Sequence, residues 1–88
     1  MIISFNKKAL EDFYYWIEND VKTYKKIKNL LQDIQRNKNE GLGHPKPLSG
    51  DKSGWWRRNI DEKNRLVYRV KDDNVLEILQ CKGHYDDK

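Results

Sequence analysis

Two runs of strand-forming residues, Trp55 to Ile60 and Arg65 to Val70, are separated by Asp61, Glu62, Lys63 and Asn64, whose short polar side chains favour turns. The pattern predicts a β-hairpin. Strand side chains alternate between faces, so Trp56, Arg58 and Ile60 point one way and Trp55, Arg57 and Asn59 the other. In the second strand Leu66, Tyr68 and Val70 oppose Arg65, Val67 and Arg69. Neither face of the first strand is purely apolar.

Upstream the apolar spacing changes from two to between three and four. Ile2, Ile3 and Phe5 form a short first strand, and Asn6 can cap a helix whose apolar positions are Leu10, Phe13, Tyr14 and Ile17. Asn19 and Asp20 interrupt that pattern. A second helix carries Tyr24, Ile27, Leu30, Leu31 and Ile34, and Asn37 to Asn39 end it. Between Glu40 and Gly54 lie four of the five glycines and both prolines, which predicts an ordered loop without regular structure. After the hairpin, Asp72, Asp73 and Asn74 form a turn, and Val75 to Cys81 reads as a last strand. There Val75, Glu77, Leu79 and Cys81 alternate against Leu76, Ile78 and Gln80. These elements predict one α+β domain spanning residues 1–88, with two N-terminal helices packed on one face of a twisted antiparallel β-sheet. The other face is left open to a ligand.

Composition narrows the class. The chain is 36% hydrophobic and 36% charged, and its three Trp and five Tyr supply large buried area for a small core. No apolar run is long enough to cross a bilayer, and the lysines near the start follow the apolar residues instead of preceding them as in a signal peptide. A cytoplasmic protein without membrane association is the expectation. One cysteine and two histidines cannot complete a four-ligand zinc site, so neither a metal nor another cofactor is expected. From His44 to Val70 seven basic residues face three acidic ones, an excess equal to the +4 net charge of the whole chain. Such a patch attracts phosphates and acidic proteins, although a solvated surface has the same composition. Lys52, Trp55, Arg57, Arg58 and Lys82 are the expected RNA contacts.

Metal-free RNA cleavage needs a group to take the 2′-hydroxyl proton, an acid for the departing 5′-oxygen, and cations around the phosphorane. His84 has the right side chain for a proton step, Tyr85 beside it can stack on a base or assist, and Arg65 can grip a phosphate through two hydrogen bonds. Pro45 and Pro47 fix the backbone around Lys46, which restricts that ammonium. Each signal also has an ordinary reading as a solvated or packing residue.

Taken together, the motifs carry a resemblance. Tyr14 to Trp16 (Tyr-Tyr-Trp), Gly41 to Leu48 (Gly-x-Gly-x-Pro-x-Pro-Leu), Ser53 to Trp56 (Ser-Gly-x-Trp), Arg65 to Tyr68 (Arg-Leu-Val-Tyr) and the His84-Tyr85 pair resemble the YoeB/Txe toxins of the RelE-like superfamily. The resemblance implies a toxin of a bacterial toxin-antitoxin system that enters the A site of the 70S ribosome and cuts mRNA. It also implies a compact α+β fold, a co-expressed antitoxin of the YefM/Phd type, and often a homodimer. By residue, it implies that Arg65 binds phosphate, that His84 is catalytic, and that Tyr85 is the family's terminal tyrosine, followed here by Asp86, Asp87 and Lys88.

Three positions depart from the family pattern. Lys46 stands between the loop prolines where glutamate, a candidate general base, is usual; Ser49 stands where a basic residue is common; Asn59 stands where a second active-site arginine is expected. Two readings of Lys46 follow, either the base itself or a phosphate ligand in a weakened or inactive nuclease. A gyrase-poisoning toxin of the ParE type and a small nucleic-acid-binding module are the alternatives from other classes.

Overall fold

The computed structural model describes residues 1–84. In chain order the elements are β1 (Ile2–Phe5), α1 (Lys7–Asn19), α2 (Val21–Asn37), β2 (Lys46–Pro47), a 3₁₀ turn at Gly50–Lys52, β3 (Trp56–Asn59), β4 (Arg65–Lys71) and β5 (Val75–Gln80). The helices meet at a single residue. Asp20 ends α1 by donating its N–H to the Trp16 carbonyl at 2.8 Å, and begins α2 by accepting from the Thr23 N–H and hydroxyl at 3.1 and 2.8 Å. Asn6 caps α1 as expected, its side-chain oxygen accepting from Ala9 N–H at 2.8 Å.

The five strands form one sheet in the order β1-β5-β4-β3-β2. Strands β3 to β5 pair antiparallel, as the pattern predicts, and β2 joins β3 antiparallel as well, whereas β1 pairs parallel to β5, with Ile2 opposite Val75 and Phe5 opposite Ile78. The sheet is therefore mixed. The reason is connectivity: α1 and α2 carry the chain from β1 across to β2 at the far edge, and β3 and β4 bring it back to β5 beside β1. The parallel partners are thus joined by a long connection, as such a pair requires. The glycine- and proline-rich loop also contributes more than expected, since Lys46 and Pro47 pair with Arg57 and Trp56 as a two-residue edge strand. Proline is tolerated there because an edge strand needs only one hydrogen-bonding side.

The core lies between the helical layer and one face of the sheet. Ala9, Trp16, Ile27, Leu30, Leu31 and Ile34 pack against Ile60, Leu66, Tyr68, Leu76, Ile78 and Cys81. Helix α2 buries the residues its periodicity names. Helix α1 is rotated from expectation: Tyr14 and Ile17 are exposed, and Ala9, Asp12 and Trp16 are buried. Hydrogen bonds set that rotation, because the Trp16 indole N–H donates to the Cys81 carbonyl at 2.8 Å and Asp12 accepts the Cys81 N–H at 3.1 Å.

Strand β5 also breaks its predicted alternation. Val67 pairs with Gln80 but Tyr68 pairs with Ile78, so Leu79 is an extra residue, a β-bulge. Beyond it the faces exchange. Gln80 moves to the open face, and Cys81 joins Leu76 and Ile78 in the core.

Candidate functional site

The open face is built from cross-strand pairs. Lys46 of β2 lies opposite Arg57 of β3, Arg57 opposite Val67 of β4, and Val67 opposite Gln80 of β5, while Asn59 lies opposite Arg65. Directly opposite residues share a face, so this row gathers Lys46, Arg57, Asn59 and Arg65 on one surface. Lys46 is exposed, and Arg57 and Arg65 are half-buried. The Arg57 guanidinium donates to the Asn59 side-chain oxygen at 3.4 Å. Farther along the same strands, Arg69 bonds Glu77 and lies over the Trp55 ring, 4.3 Å from its centroid. One side of that indole is thus already covered.

The hairpin turn carries the other half of the site. Asp61 accepts from the Lys63 and Asn64 N–H groups at 2.8 and 2.7 Å, and the Asn64 amide donates to both of its carboxylate oxygens at 3.1 Å. Burial acts to raise the Asp61 carboxyl; the hydrogen bonds from Asn64 and Lys63 outweigh it, and the group stays below the usual 3.8. Past β5 the chain returns to this turn. The Asn64 side-chain oxygen accepts the Gly83 N–H at 2.8 Å, and the Arg65 N–H donates to the Gly83 carbonyl at 2.9 Å. His84, exposed, is the next residue, so it follows directly on the contact with Arg65. The Arg65 guanidinium itself donates to the carbonyls of Asp61 and Asn64 at 2.7 and 3.2 Å, and among the described residues its buried Nε has no partner.

One expected RNA contact is not on this surface. Arg58 points with Ile60 into the protein and is completely buried. Its five N–H groups donate to the Tyr68 hydroxyl, the Asp33 carboxylate and the carbonyls of Leu42, Lys38 and Glu40. The Arg58 hydrogen bond is the main cause holding the Asp33 carboxyl below its ordinary value. Tyr68 is raised by burial, a shift that Arg58 partly opposes. Arg58 is therefore a structural cation, with no donor left for a phosphate. Lys82 is drawn to the helical layer, its ammonium 4.5 Å from the Tyr15 ring centroid on α1. Lys52 is half-buried in the 3₁₀ turn, and Tyr85 lies outside the described residues.

Pattern reading missed three anchoring residues, Asn64, Asp33 and Asp12. Asp61 and Asn64 were legible as a turn, but nothing local signals a bond from Asn64 to residue 83. Asp33 did carry a signal, as a lone acid within the buried stripe of α2, whereas Asp12 falls in the buried stripe of α1 only in the rotated setting that the structure shows.

The arrangement is a helical layer behind a five-stranded sheet, with cations on the open face and a histidine at its rim. Its fold is shared with a structure described as a YoeB/ParE toxin from Agrobacterium tumefaciens, which superposes with a TM-score of 0.94 at 36% identity, over 97% of this chain and all of that one. The fold is that of a class of small bacterial toxins. Residues 5–85 match the sequence model of the YoeB-like toxins of bacterial type II toxin-antitoxin systems, and the chain belongs to that family. It is 45% identical to Toxin YoeB of Streptomyces coelicolor, over 97% of this chain and all of that one. The Staphylococcus aureus YoeB is similar in two structures, each covering 97% of this chain and 98% of the other with a TM-score of 0.90. One is a dimer at 44% identity; the other is a heterotetrameric complex with YefM at 42%.

Proposed function

We propose that this toxin is a metal-independent endoribonuclease that cuts mRNA in the ribosomal A site. The observation that carries the reading is the bridge from Asn64 and Arg65 to Gly83, which sets a cation suited to phosphate beside the segment bearing His84, at the rim of a basic face. In the reaction the 2′-oxygen attacks the adjacent phosphorus, its proton passes to a base, and the P–O5′ bond breaks as an acid protonates the 5′-oxygen. The products are a 2′,3′-cyclic phosphate and a 5′-hydroxyl. Arg65 neutralises the phosphorane and His84 is the acid. Lys46, two strand spacings across the sheet and two residues along it from Arg65, a backbone separation of about 12 Å, is the candidate base. Tyr85 follows His84 and assists at the leaving group or stacks on a base, and Arg57, Lys52 and the uncovered side of Trp55 hold the flanking RNA.

The partner proposed for the off state is a YefM/Phd-type antitoxin, whose acidic segment folds over these cations in the cytoplasm; the S. aureus toxin is found both with YefM and as a dimer. A homodimer is proposed here on the same ground. Among the described residues no helix is long and apolar enough to cross a membrane.

The test is mRNA cleavage on bacterial 70S ribosomes by the natural chain and its Arg65→Ala, His84→Ala and Lys46→Glu variants. A-site cuts that weaken with the first two substitutions support the reading. A large gain from Lys46→Glu would assign the base role elsewhere and leave Lys46 as a phosphate ligand. Absence of cleavage by the natural chain, with gyrase relaxation blocked, would replace the nuclease by a ParE-like activity.

A further inference from the structure

We infer that Asn64 is the positioning residue for His84, and that the Asp61-Asn64 pair exists to hold it. The inference rests on the nuclease reading for its catalytic consequence, though its geometric content stands apart. The β4-β5 ladder ends at Val67 and Gln80. Beyond that point the bonds tying the returning chain to the hairpin, among the described residues, are the two at Gly83; the Gln80 amide contacts to the Lys82 and Gly83 carbonyls, at 3.5 and 3.4 Å, are local to the returning chain itself. One of the two is backbone to backbone and survives any substitution. The other depends on the Asn64 side chain, which stands in for the carbonyl that a continuing strand would supply.

Asn64 is committed to this position on every side. Its N–H and amide nitrogen both donate to Asp61, its carbonyl accepts the Ile60 N–H at 2.9 Å and an Arg65 guanidinium N–H at 3.2 Å, and its side-chain oxygen takes Gly83. The amide is thus oriented by Asp61, with its oxygen presented outward. Gly83 has φ +95, a conformation from which the chain turns sharply, and pinning both of its polar groups fixes where the next residue starts. The same turn holds the Arg65 guanidinium through the Asp61 and Asn64 carbonyls. The turn therefore registers Arg65 through its backbone carbonyls and the segment bearing His84 through the Asn64 side chain.

An asparagine at this place is separable from a generic turn residue by an exchange. In Asn64→Ala the Gly83 N–H loses its acceptor. In Asn64→Asp the acceptor stays, but a second carboxylate faces Asp61 at about the present 3.1 Å spacing and turns away. Asp61→Asn combined with Asn64→Asp reverses donor and acceptor within the pair, keeps an oxygen for the Lys63 and Asn64 N–H groups, and restores an oriented acceptor for Gly83.

Two readouts are needed. Ribosome-dependent cleavage, with kcat and KM separated, should show kcat lower by about 10- to 100-fold in each single variant with KM within about threefold, because misplacement by about an ångström costs that much. The double exchange should return kcat to within about threefold of the natural chain. Hydrogen exchange at the Gly83 amide, which needs no activity, should accelerate at least tenfold in Asn64→Ala and return toward the natural rate in the exchange variant. Unchanged Gly83 exchange in Asn64→Ala overturns the inference, as does natural kcat in that variant. If the natural chain cleaves nothing, the nuclease reading fails, and Gly83 exchange still decides whether Asn64 positions the segment.

Discussion

Replacing Asp33 with alanine should cost this protein a large share of its stability. The Asp33 carboxylate accepts from the Arg58 guanidinium at 2.6 Å, the Leu42 N–H at 3.0 Å and the Asn37 amide at 2.9 Å, and Arg58 has no exposure at all. Removing one member of such a pair leaves the other buried and uncompensated, which costs about 3–5 kcal/mol. For a domain of this length, total stability is about 4–13 kcal/mol. At about 4–8 °C per kcal/mol, the melting temperature should fall by at least about 12 °C. Asp33→Asn, which keeps an acceptor but removes the charge, should lose distinctly less.

Acid titration gives an independent arm of the same experiment. The folded-state pKa of Asp33 is depressed from the ordinary 3.8, with the Arg58 hydrogen bond as the largest cause. The stability this group confers is therefore fully present above the unfolded value and is lost as pH falls through the lower folded one. The difference between the natural chain and Asp33→Ala should be flat from neutrality to about pH 5 and shrink below about pH 4. Urea melts of both proteins across that range measure it. A loss under about 1 kcal/mol at neutral pH, or a difference that grows in acid, would refute the reasoning, because either requires Arg58 to find water or another anion in the folded state.

Three further outcomes follow from single features. Gly43 has φ +79, and a methyl there would sit 2.9 Å from the Asn59 carbonyl oxygen, so Gly43→Ala should lower the urea-derived stability by about 1–3 kcal/mol; a change under about 0.5 kcal/mol would mean that the loop can move off the hairpin. The Cys81 thiol is pushed up to about 12 by burial and by the nearby Asp12, and the side chain is fully buried, so alkylation at about pH 8 should be slow in the native protein and rapid in urea; fast native labelling would show that the end of β5 opens. If the open face holds RNA, Arg57→Ala should reduce the slope of log affinity against log salt by about 0.7 for each phosphate that Arg57 neutralises, whereas an unchanged slope would remove Arg57 from the interface.

Regular periodicity made α2 and the hairpin legible, since their buried faces are the ones their apolar spacing names. The pattern fails where one residue changes the count, as at Leu79, or where hydrogen bonds outrank apolar area, as on α1. Arg58 is the instructive case: strand alternation groups it with Trp56 and Ile60 without saying which face is the inner one, and its charge argued for the surface. A second charge of opposite sign, Asp33, stood within the buried stripe of α2. Two opposite charges on two apolar faces are a signal for a buried pair, and both are visible in the residue pattern itself.

These buried acids also explain how the helical layer, which presents no chemistry of its own, shapes the site. Asp33 accepts the N–H of Leu42, four residues before Lys46, while its partner Arg58 gathers the carbonyls of Lys38, Glu40 and Leu42. Asp12 accepts the N–H of Cys81, three residues before His84, beside the Trp16 bond to the Cys81 carbonyl. Each helix thus grips, from behind the sheet, the backbone leading to one edge of the open face. Backbone held at both edges confines Lys46 and His84 more tightly than short edge pairing alone would. The polar residues that interrupt the core of this small domain are the ones that connect its packing to its chemistry.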